Sequence, residues 1–565
     1  KKNIIFAFIV LSILISLLEI IGIVSLLNIM SFVTNGDLPV LVKLKNYLNL
    51  ENYLIKDLFY IITFFFILIT LMIMAARFCL TLVNAKLSFG IVAELNNLIF
   101  KKLAYLNFLD HKKLSINTSI SNFSRVGEIS LLVITNLSAL SSGIIGSIVF
   151  ISLLLIELNI VLSSSFIFFL IYFILIKISQ KKLLQNSKNI SESVNHKLNI
   201  LSLLLGSIRN VILDNIQKYF INYHTKLQYI VLKSQTSNAM ISSLPSLFFS
   251  NAILLIFIVY ILIVTRLGNS FVDSIPLLAV IAFGAQKLIP LVNSIYLAIS
   301  RNKGNIHNVI NVLKFIDILN NKKKINRFKS YHKIKMHVKE KLILKDIKFK
   351  YTNKKLTLNN INLQLKRGDK VLIQGESGAG KTTLIEIISG LLFPVSGVLK
   401  VDNKTINKKN LHLFQKNISY VPQEIFLAEQ SFLKNIVIGS STEDIDLKKV
   451  KLYSKIAEID KFINSTKNKY NTIVSYNGTN LSAGQKQRIG IARGLYKNSS
   501  ILIFDESTSA LDEKTETKIF NNIKKYLKDK IVIFISHNKK NIKYFNKVLV
   551  LDNGKLIQKE VNNNK

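Results

Sequence analysis

The stretch "GESGAGKTT" at 375–383 is built for phosphate chemistry. It fits the pattern G-x-x-x-x-G-K-[ST], and it lies between "KVLIQG", which reads as a strand, and "KTTLIEIISGLL", which reads as a helix. Gly375, Gly378 and Gly380 let the backbone curl so that its N–H groups point at a β-phosphate. The helix N-terminus adds partial positive charge, and Lys381 reaches the β and γ oxygens. Ser377 and Thr383 complete the expected nucleotide contacts, and Thr382 is placed to hold magnesium. A chance glycine-rich turn would not carry a strand on one side and a helix on the other.

A second strand, "ILIFDE", supplies carboxylates: Asp505 for the metal's outer shell and Glu506 to activate an attacking water. Successive residues on a strand point opposite ways, so only a strand end can bring both to one nucleotide. His537 closes "KIVIFISH" and is placed to contact the γ-phosphate from a third side. An ordinary strand-end histidine is the alternative, disfavoured by the second apolar strand before it. In "NLSAGQKQRIGIARG" at 480–494, Ser482 is a good helix cap, and Ala483 and Gly484 leave backbone amides free to meet an anion. Two anion-binding helix starts in one domain are then expected to serve different nucleotides.

The elements that must position these residues follow from patterning. The chain has 565 residues, is 50% hydrophobic and carries a formal charge of +41. With positive mean hydropathy, a membrane class is expected. The charge could serve a nucleic acid, but cytoplasmic loops rich in Lys and an AT-biased genome explain it better, so no nucleic-acid partner is expected. The single cysteine, Cys79, excludes an internal disulfide and reads as a packed apolar residue. The chain starts "KKNIIFAFIV" without Met, so residues are expected to precede it, and its first apolar run reads as a retained helix rather than a signal peptide.

Six apolar segments, about 4–33, 58–84, 131–156, 160–178, 244–265 and 272–300, reach the roughly 20 residues needed to cross a bilayer. The connections 85–130 and 179–243 are long and basic, which places them and both termini in the cytoplasm. Both read mostly as helix, so the membrane helices should continue well past the bilayer, with turns near 107–116 and 207–216. A basic linker at 320–341 separates this α-helical domain (1–319) from an α/β domain (342–565) of alternating strands and helices.

With "GESGAGKTT", "NLSAGQKQRIGIARG" and "ILIFDE" in this order, the chain resembles the ATP-binding cassette family, and the resemblance covers nearly its whole length. It implies that Leu481, Ser482, Ala483, Gly484 and Gln485 form the signature motif, which caps ATP bound to the other copy of the domain. It further implies that Tyr351 stacks on adenine, that Gln423 in "YVPQE" joins the catalytic and magnesium-binding set, and that Asp512 is the D-loop aspartate linking the two sites. Six helices before one cassette resemble an exporter half-transporter, an α-helical transmembrane domain plus a P-loop ATPase domain. That implies a homodimer in a bacterial inner membrane, with ATP and Mg2+ as cofactors. Two departures stand out: Ala483 replaces the usual glycine, and "VSYNG" at 474–478 replaces an acidic, glycine-rich segment, which puts the details of coupling in question.

Cassette motifs say nothing about cargo. "SLLEIIGIVSLLNIMSFV", "LVKLKNYLNL" and "FGAQKLIPLVNSI" are similar to the lipid-linked oligosaccharide flippase PglK and its relatives in surface-polysaccharide export. The resemblance implies an external amphipathic helix at 38–54 and an anionic glycolipid substrate. Lys287 stands where those flippases have an arginine, three residues before Pro290; a second arginine is replaced by Ser294. A charge at mid-bilayer costs roughly 2.5–3.5 kcal/mol and usually faces a wet cavity or a partner. Lys287 and Arg77 are therefore expected to hold an anion, Glu19 to contact lipid or substrate, with a buried helix-to-helix hydrogen bond as its alternative, and Arg301 to serve an inner vestibule. Lys287 paired with Glu19 and without a substrate role is the competing reading. An amphipathic peptide, a drug or another lipid is the alternative cargo.

Overall fold

A computed structural model describes residues 2–35, 55–156, 158–266, 271–321, 336–351, 356–439, 445–536 and 539–560. The chain divides into two compact units, Lys1–Leu106 with Lys112–Lys323, and Asn107–His111 with Lys324–Lys565. The expected linker lies at this division. Most of it, and the expected external helix at 38–54, fall outside the described residues. Met336 and Val338 pack into the second unit's core.

Among the described residues, the first unit holds six long helices: α1 (Lys2–Asn35), α2 (Ile55–Ala104), α3 (Ile116–Ile156), α4 (Leu158–Gly206), α5 (Gln217–Arg266) and α6 (Phe271–Asn321). The last five hold 41 to 51 residues, roughly 60–75 Å of helix against a hydrocarbon layer of about 30 Å. They are apolar over part of their length and polar over the rest, as expected of helices that outrun a bilayer. The segments Lys2–Thr34, Asp57–Ala104, Ile116–Ile156 and Leu278–Asn320 are long and apolar enough to cross a membrane. The remaining two expected spans, 160–178 and 244–265, are helical within α4 and α5, and part of their side chains lie outside the described residues.

Ile15, Ile23, Leu80, Val149 and Val280 close a core among α1, α2, α3 and α6, and Ile99, Val126, Val312 and Phe315 close a second one further along. Polar pairs tie the helices where hydrophobic contact has little to gain over lipid. The Ser88 hydroxyl donates to the Ser130 carbonyl at 2.7 Å, Asn302 donates to Asn136 at 2.6 Å, and the Ser242 and Ser300 hydroxyls meet at 2.9 Å. Phe64, Leu71, Met74 and Phe78 point outward. Cys79 is exposed, contrary to its expected packed role, because α2 turns Ala76 and Leu80 inward and leaves the face of Phe78 and Leu82 outside.

The second unit carries two sheets. Strands β1 (Lys341–Phe349), β2 (Leu358–Lys366), β4 (Ser396–Val401) and β5 (Lys404–Thr405) form an antiparallel sheet in the order β2-β1-β4-β5. Strands β3 (Lys370–Gly375), β6 (Ile418–Val421), β7 (Ile501–Asp505), β8 (Ile531–Ile535), β9 (Lys547–Asp552) and β10 (Lys555–Glu560) form the other, in the order β10-β9-β3-β8-β7-β6. Its five strands from β9 to β6 are parallel, and β7 and β8 are buried along their apolar runs, as a sheet covered on both faces requires. Helices α7 (Lys381–Ile388), α8 (Leu447–Ile456), α9 (Ala483–Tyr496) and α10 (Glu513–Tyr526) flank these strands in sequence. Residues 107–111, from the first expected turn, belong to this unit, with Phe108 and Leu109 against its core.

Asp402 fastens the entry to β1. Its carboxylate accepts the backbone N–H groups of Lys339, Glu340 and Lys341 at 3.1, 2.9 and 2.9 Å. Burial opposes the charge, but the three N–H bonds win and hold the carboxyl below the usual carboxylate range. A group depressed in this way adds stability above its unfolded pKa of about 4 and loses it as pH falls through the folded value. Asp402→Asn should therefore cost about 1 kcal/mol at neutral pH, allowing for solvent exposure. Calorimetry of the solubilised chain should show the gap from wild type narrowing below about pH 4; a gap that stays constant through the acid range would refute the assignment.

Candidate active site

Strand β3 delivers its C-terminal end between β8 and β9, and the phosphate loop leaves from there. Gly380 caps α7 at φ 102°, and a Cβ there would come within 3.1 Å of both the Thr357 carbonyl and a Leu358 methyl, so only glycine fits. Gly375 and Gly378 also have positive φ, as the curled loop demands. The Lys381 ammonium donates to the carbonyls of Gly375 at 2.7 Å and Glu376 at 2.9 Å, which folds it back over the loop. Ser377, Gly378 and Thr382 are exposed at the mouth. Thr383 is not: one residue further along the helix turns it into the core, where its hydroxyl meets that of Tyr351 at 3.2 Å. The Tyr351 hydroxyl also donates to Glu386 at 3.2 Å. The Tyr351 ring lies edge-on to Phe349, with centroids 5.0 Å apart.

Glu506 resolves the geometry of two successive carboxylates. Strand β7 ends at Asp505, and Glu506 adopts a left-handed φ of 46° while its N–H bonds the Ile535 carbonyl at 3.1 Å. The break in pleat lets both side chains meet partners from one segment. The Tyr420 hydroxyl donates to Asp505 at 2.7 Å, and the Gln423 amide donates to Glu506 at 2.7 Å. Burial raises the Asp505 carboxyl above the usual carboxylate range; the Tyr420 bond works against this and the Glu506 charge with it. The Lys381 charge also reaches Asp505, which brings the phosphate loop and this carboxylate into one site. Thr382, Asp505 and Gln423 offer hard oxygen donors, the set that suits magnesium. Because Gln423 gives its N–H to Glu506, its oxygen is the atom left for a cation. His537 lies outside the described residues.

The signature segment is held by a capping box: the Ser482 hydroxyl accepts from the Gln485 N–H at 3.2 Å, and the Gln485 side chain accepts from the Ser482 N–H at 2.9 Å. Leu481 packs partly against buried side chains of the second unit, Ala483 opens α9, and Gly484 lies so near the D-loop that a Cβ would stand 3.0 Å from the Ala510 carbonyl. Buried Gln487 completes this joint by donating to the Ser509 hydroxyl at 3.1 Å and accepting from the Ala510 N–H at 2.9 Å. Asp512 caps α10 through the Thr515 N–H at 2.9 Å. In "VSYNG", the Asn477 N–H bonds the Leu427 carbonyl at 3.1 Å, downstream of Gln423. Gln487 and Tyr420 both escaped the sequence reading. The one available signal was their place inside motifs already singled out, three residues before Gln423 and two after Gln485.

In the first unit, Glu19 is 1% exposed and takes both cations expected to hold an anion. Arg77 reaches it at 2.8 Å and Lys287 at 3.1 Å, while the Lys287 ammonium also lies 5.1 Å from the Phe283 ring centre. The reading of Lys287 as an open anion grip is thereby modified: two cations share one carboxylate, with one positive charge in excess. Cavities among the described residues of this unit include an apolar and a polar one. The apolar one, of about 580 Å³, is bounded by Phe150, Leu153, Phe166, Phe169 and Leu288. The polar one, of about 500 Å³, is bounded by Ser242, Ser246, Asn293, Ser300 and Arg301.

Residues 358–509 match the family model described as "ABC transporter". Among curated relatives, the chloroplastic ABC transporter B family member 29 of Arabidopsis thaliana is 40% identical over 38% of this chain and 34% of its own length. The alpha-hemolysin translocation ATP-binding protein HlyB of Escherichia coli O157:H7 is 36% identical over 40% of this chain and 32% of its own. The leukotoxin translocation ATP-binding protein LktB of a Pasteurella haemolytica-like strain is 34% identical over 39% and 31%. The chain thus spans about a third of the length of these relatives. The solved structure of a bacterial Atm1-family ABC exporter with ATP bound matches with a TM-score of 0.75 at 18% identity, over 99% of this chain and 96% of that one. Residues 358–509 are accordingly an ABC transporter ATPase domain, set in a chain with the fold of an ABC exporter.

Proposed function

We propose that the chain is one half of an ATP-driven exporter that moves an anionic amphipath, with a lipid-linked oligosaccharide as the specific candidate. The observation that supports the motor is the pairing of Asp505 with Tyr420 and Glu506 with Gln423 beside the phosphate loop. In a homodimer, each signature segment would cap ATP on the partner's phosphate loop. Backbone N–H groups at the start of α7 and Lys381 hold the phosphates, the Tyr351 ring receives adenine, and Glu506 takes a proton from the attacking water. Magnesium, when bound, neutralises charge on the β and γ oxygens. Gln423 holds Glu506 until ATP arrives, and the Gln487 joint ties the signature helix to the D-loop, so closure around one nucleotide bears on the other.

Cargo rests on Glu19, Arg77 and Lys287. A buried carboxylate shared by two cations leaves one positive charge in excess within the apolar unit, and an anionic headgroup is the natural complement. The apolar cavity suits a lipid tail. A second reading has support in the names of relatives: HlyB and LktB are toxin translocators, which favours a polypeptide cargo.

Two tests follow. Glu506→Gln should bind ATP with unchanged affinity but hydrolyse it at least 100-fold more slowly, as expected when a general base is lost. In proteoliposomes bearing a fluorescent polyprenyl-pyrophosphate glycan, wild type should flip the lipid. Lys287→Ala, which leaves Glu19 paired with Arg77, should flip at least tenfold less per ATP consumed; hydrolysis without flipping in wild type would shift the assignment to polypeptides. Gln487→Leu strips two buried bonds from the D-loop joint, so turnover measured by phosphate release should fall about tenfold while ATP affinity is kept. Unchanged turnover would mean that the joint carries no signal.

A further inference from the structure

Tyr420 has a place in the site that neither the motifs nor the comparisons assign. Strand β6 buries Ser419 and Val421 but leaves Tyr420 38% exposed, its ring in the wall of a cleft of about 720 Å³ with Leu391, Ile438 and Arg493. Core packing therefore does not fix the ring. Its hydroxyl is what engages: it donates to Oδ2 of Asp505 at 2.7 Å. Tyr420 stands opposite Ile503 in the parallel β6–β7 pair, so its side chain reaches two residues along β7 to the strand end. Among the described residues, this is the hydrogen bond that Asp505's carboxylate receives from a side chain.

We propose that Tyr420 is a positioning residue for the nucleotide's magnesium: its hydroxyl pins Oδ2 and the rotamer of Asp505, leaving Oδ1 for the cation. The inference rests on the ATPase reading above. A carboxylate ligand with free χ angles must be ordered at the moment of metal binding, whereas one already held by a neutral donor is ordered beforehand and keeps its charge. Removing such a supporting hydrogen bond typically costs 10–100-fold in metal affinity. The opposite design, in which the hydroxyl competes with metal for the same oxygen, predicts the opposite sign.

The test uses the full chain in detergent, with Tyr420→Phe to delete the hydroxyl alone and Tyr420→Leu to delete the ring as well. Binding of a fluorescent ATP analogue is titrated in EDTA and then against Mg2+, and Mn2+ binding with a non-hydrolysable ATP analogue is followed by electron paramagnetic resonance. Both variants should match wild type within about twofold in EDTA, yet need about tenfold more Mg2+ or Mn2+ for half-saturation. At saturating Mg2+ their kcat should return to near the wild-type value. An unchanged or lowered metal requirement in Tyr420→Phe overturns the proposal. So does a shift seen only in Tyr420→Leu, or an equal loss with and without metal, which would mark a structural role. If wild type itself binds no nucleotide in either condition, the ATPase reading fails and this proposal falls with it.

Discussion

Two carboxylates in succession on a strand cannot face one ligand while the pleat persists, and the nucleotide site depends on how Glu506 breaks it. Its left-handed backbone is an uncommon state for a residue with a Cβ, and it is sustained by the hydrogen bond to Ile535 on the neighbouring strand. That bond exists because β7 and β8 pair in parallel, in register to Asp505 opposite Ile535. Sheet order therefore sets the chemistry: β3 brings the phosphate loop, β7 brings the acids, and β6 on the far side brings the tyrosine and glutamine that hold them. A slip of one residue in β7 would reverse the facing of every side chain along it and separate the acids from their partners.

The helical unit obeys a different constraint. Apolar side chains gain little from one another when lipid is the alternative, so serine and asparagine bonds between helices, and one shared carboxylate, specify which helix meets which. Glu19 joins α1 to α2 and α6 at once. Removing it would leave two cations facing each other without a counter-charge, a much larger loss than removing either cation.

Much of this architecture is legible in the residues because local rules suffice for it. The phosphate loop between strand and helix, the cap at Ser482, and helices too long for a bilayer all follow from patterns within some tens of residues. What escaped depends on residues far apart in the chain. Lys287 finds Glu19 across 268 positions, and Tyr420 finds Asp505 across 85. Cys79 was misread because in this helix the buried face belongs to the partner helices, and hydrophobicity alone does not mark it.

Cys79 carries a consequence of its own. It is the chain's one thiol, it is exposed on α2, and it stands two residues beyond Arg77 in the ion cluster. A thiol reacts with a maleimide where water admits the thiolate, and stays silent in hydrocarbon. The sequence thus holds a gauge of hydration on the outward face of α2, about 200° around the helix from Arg77, addressable by a single chemical label with no residue replaced.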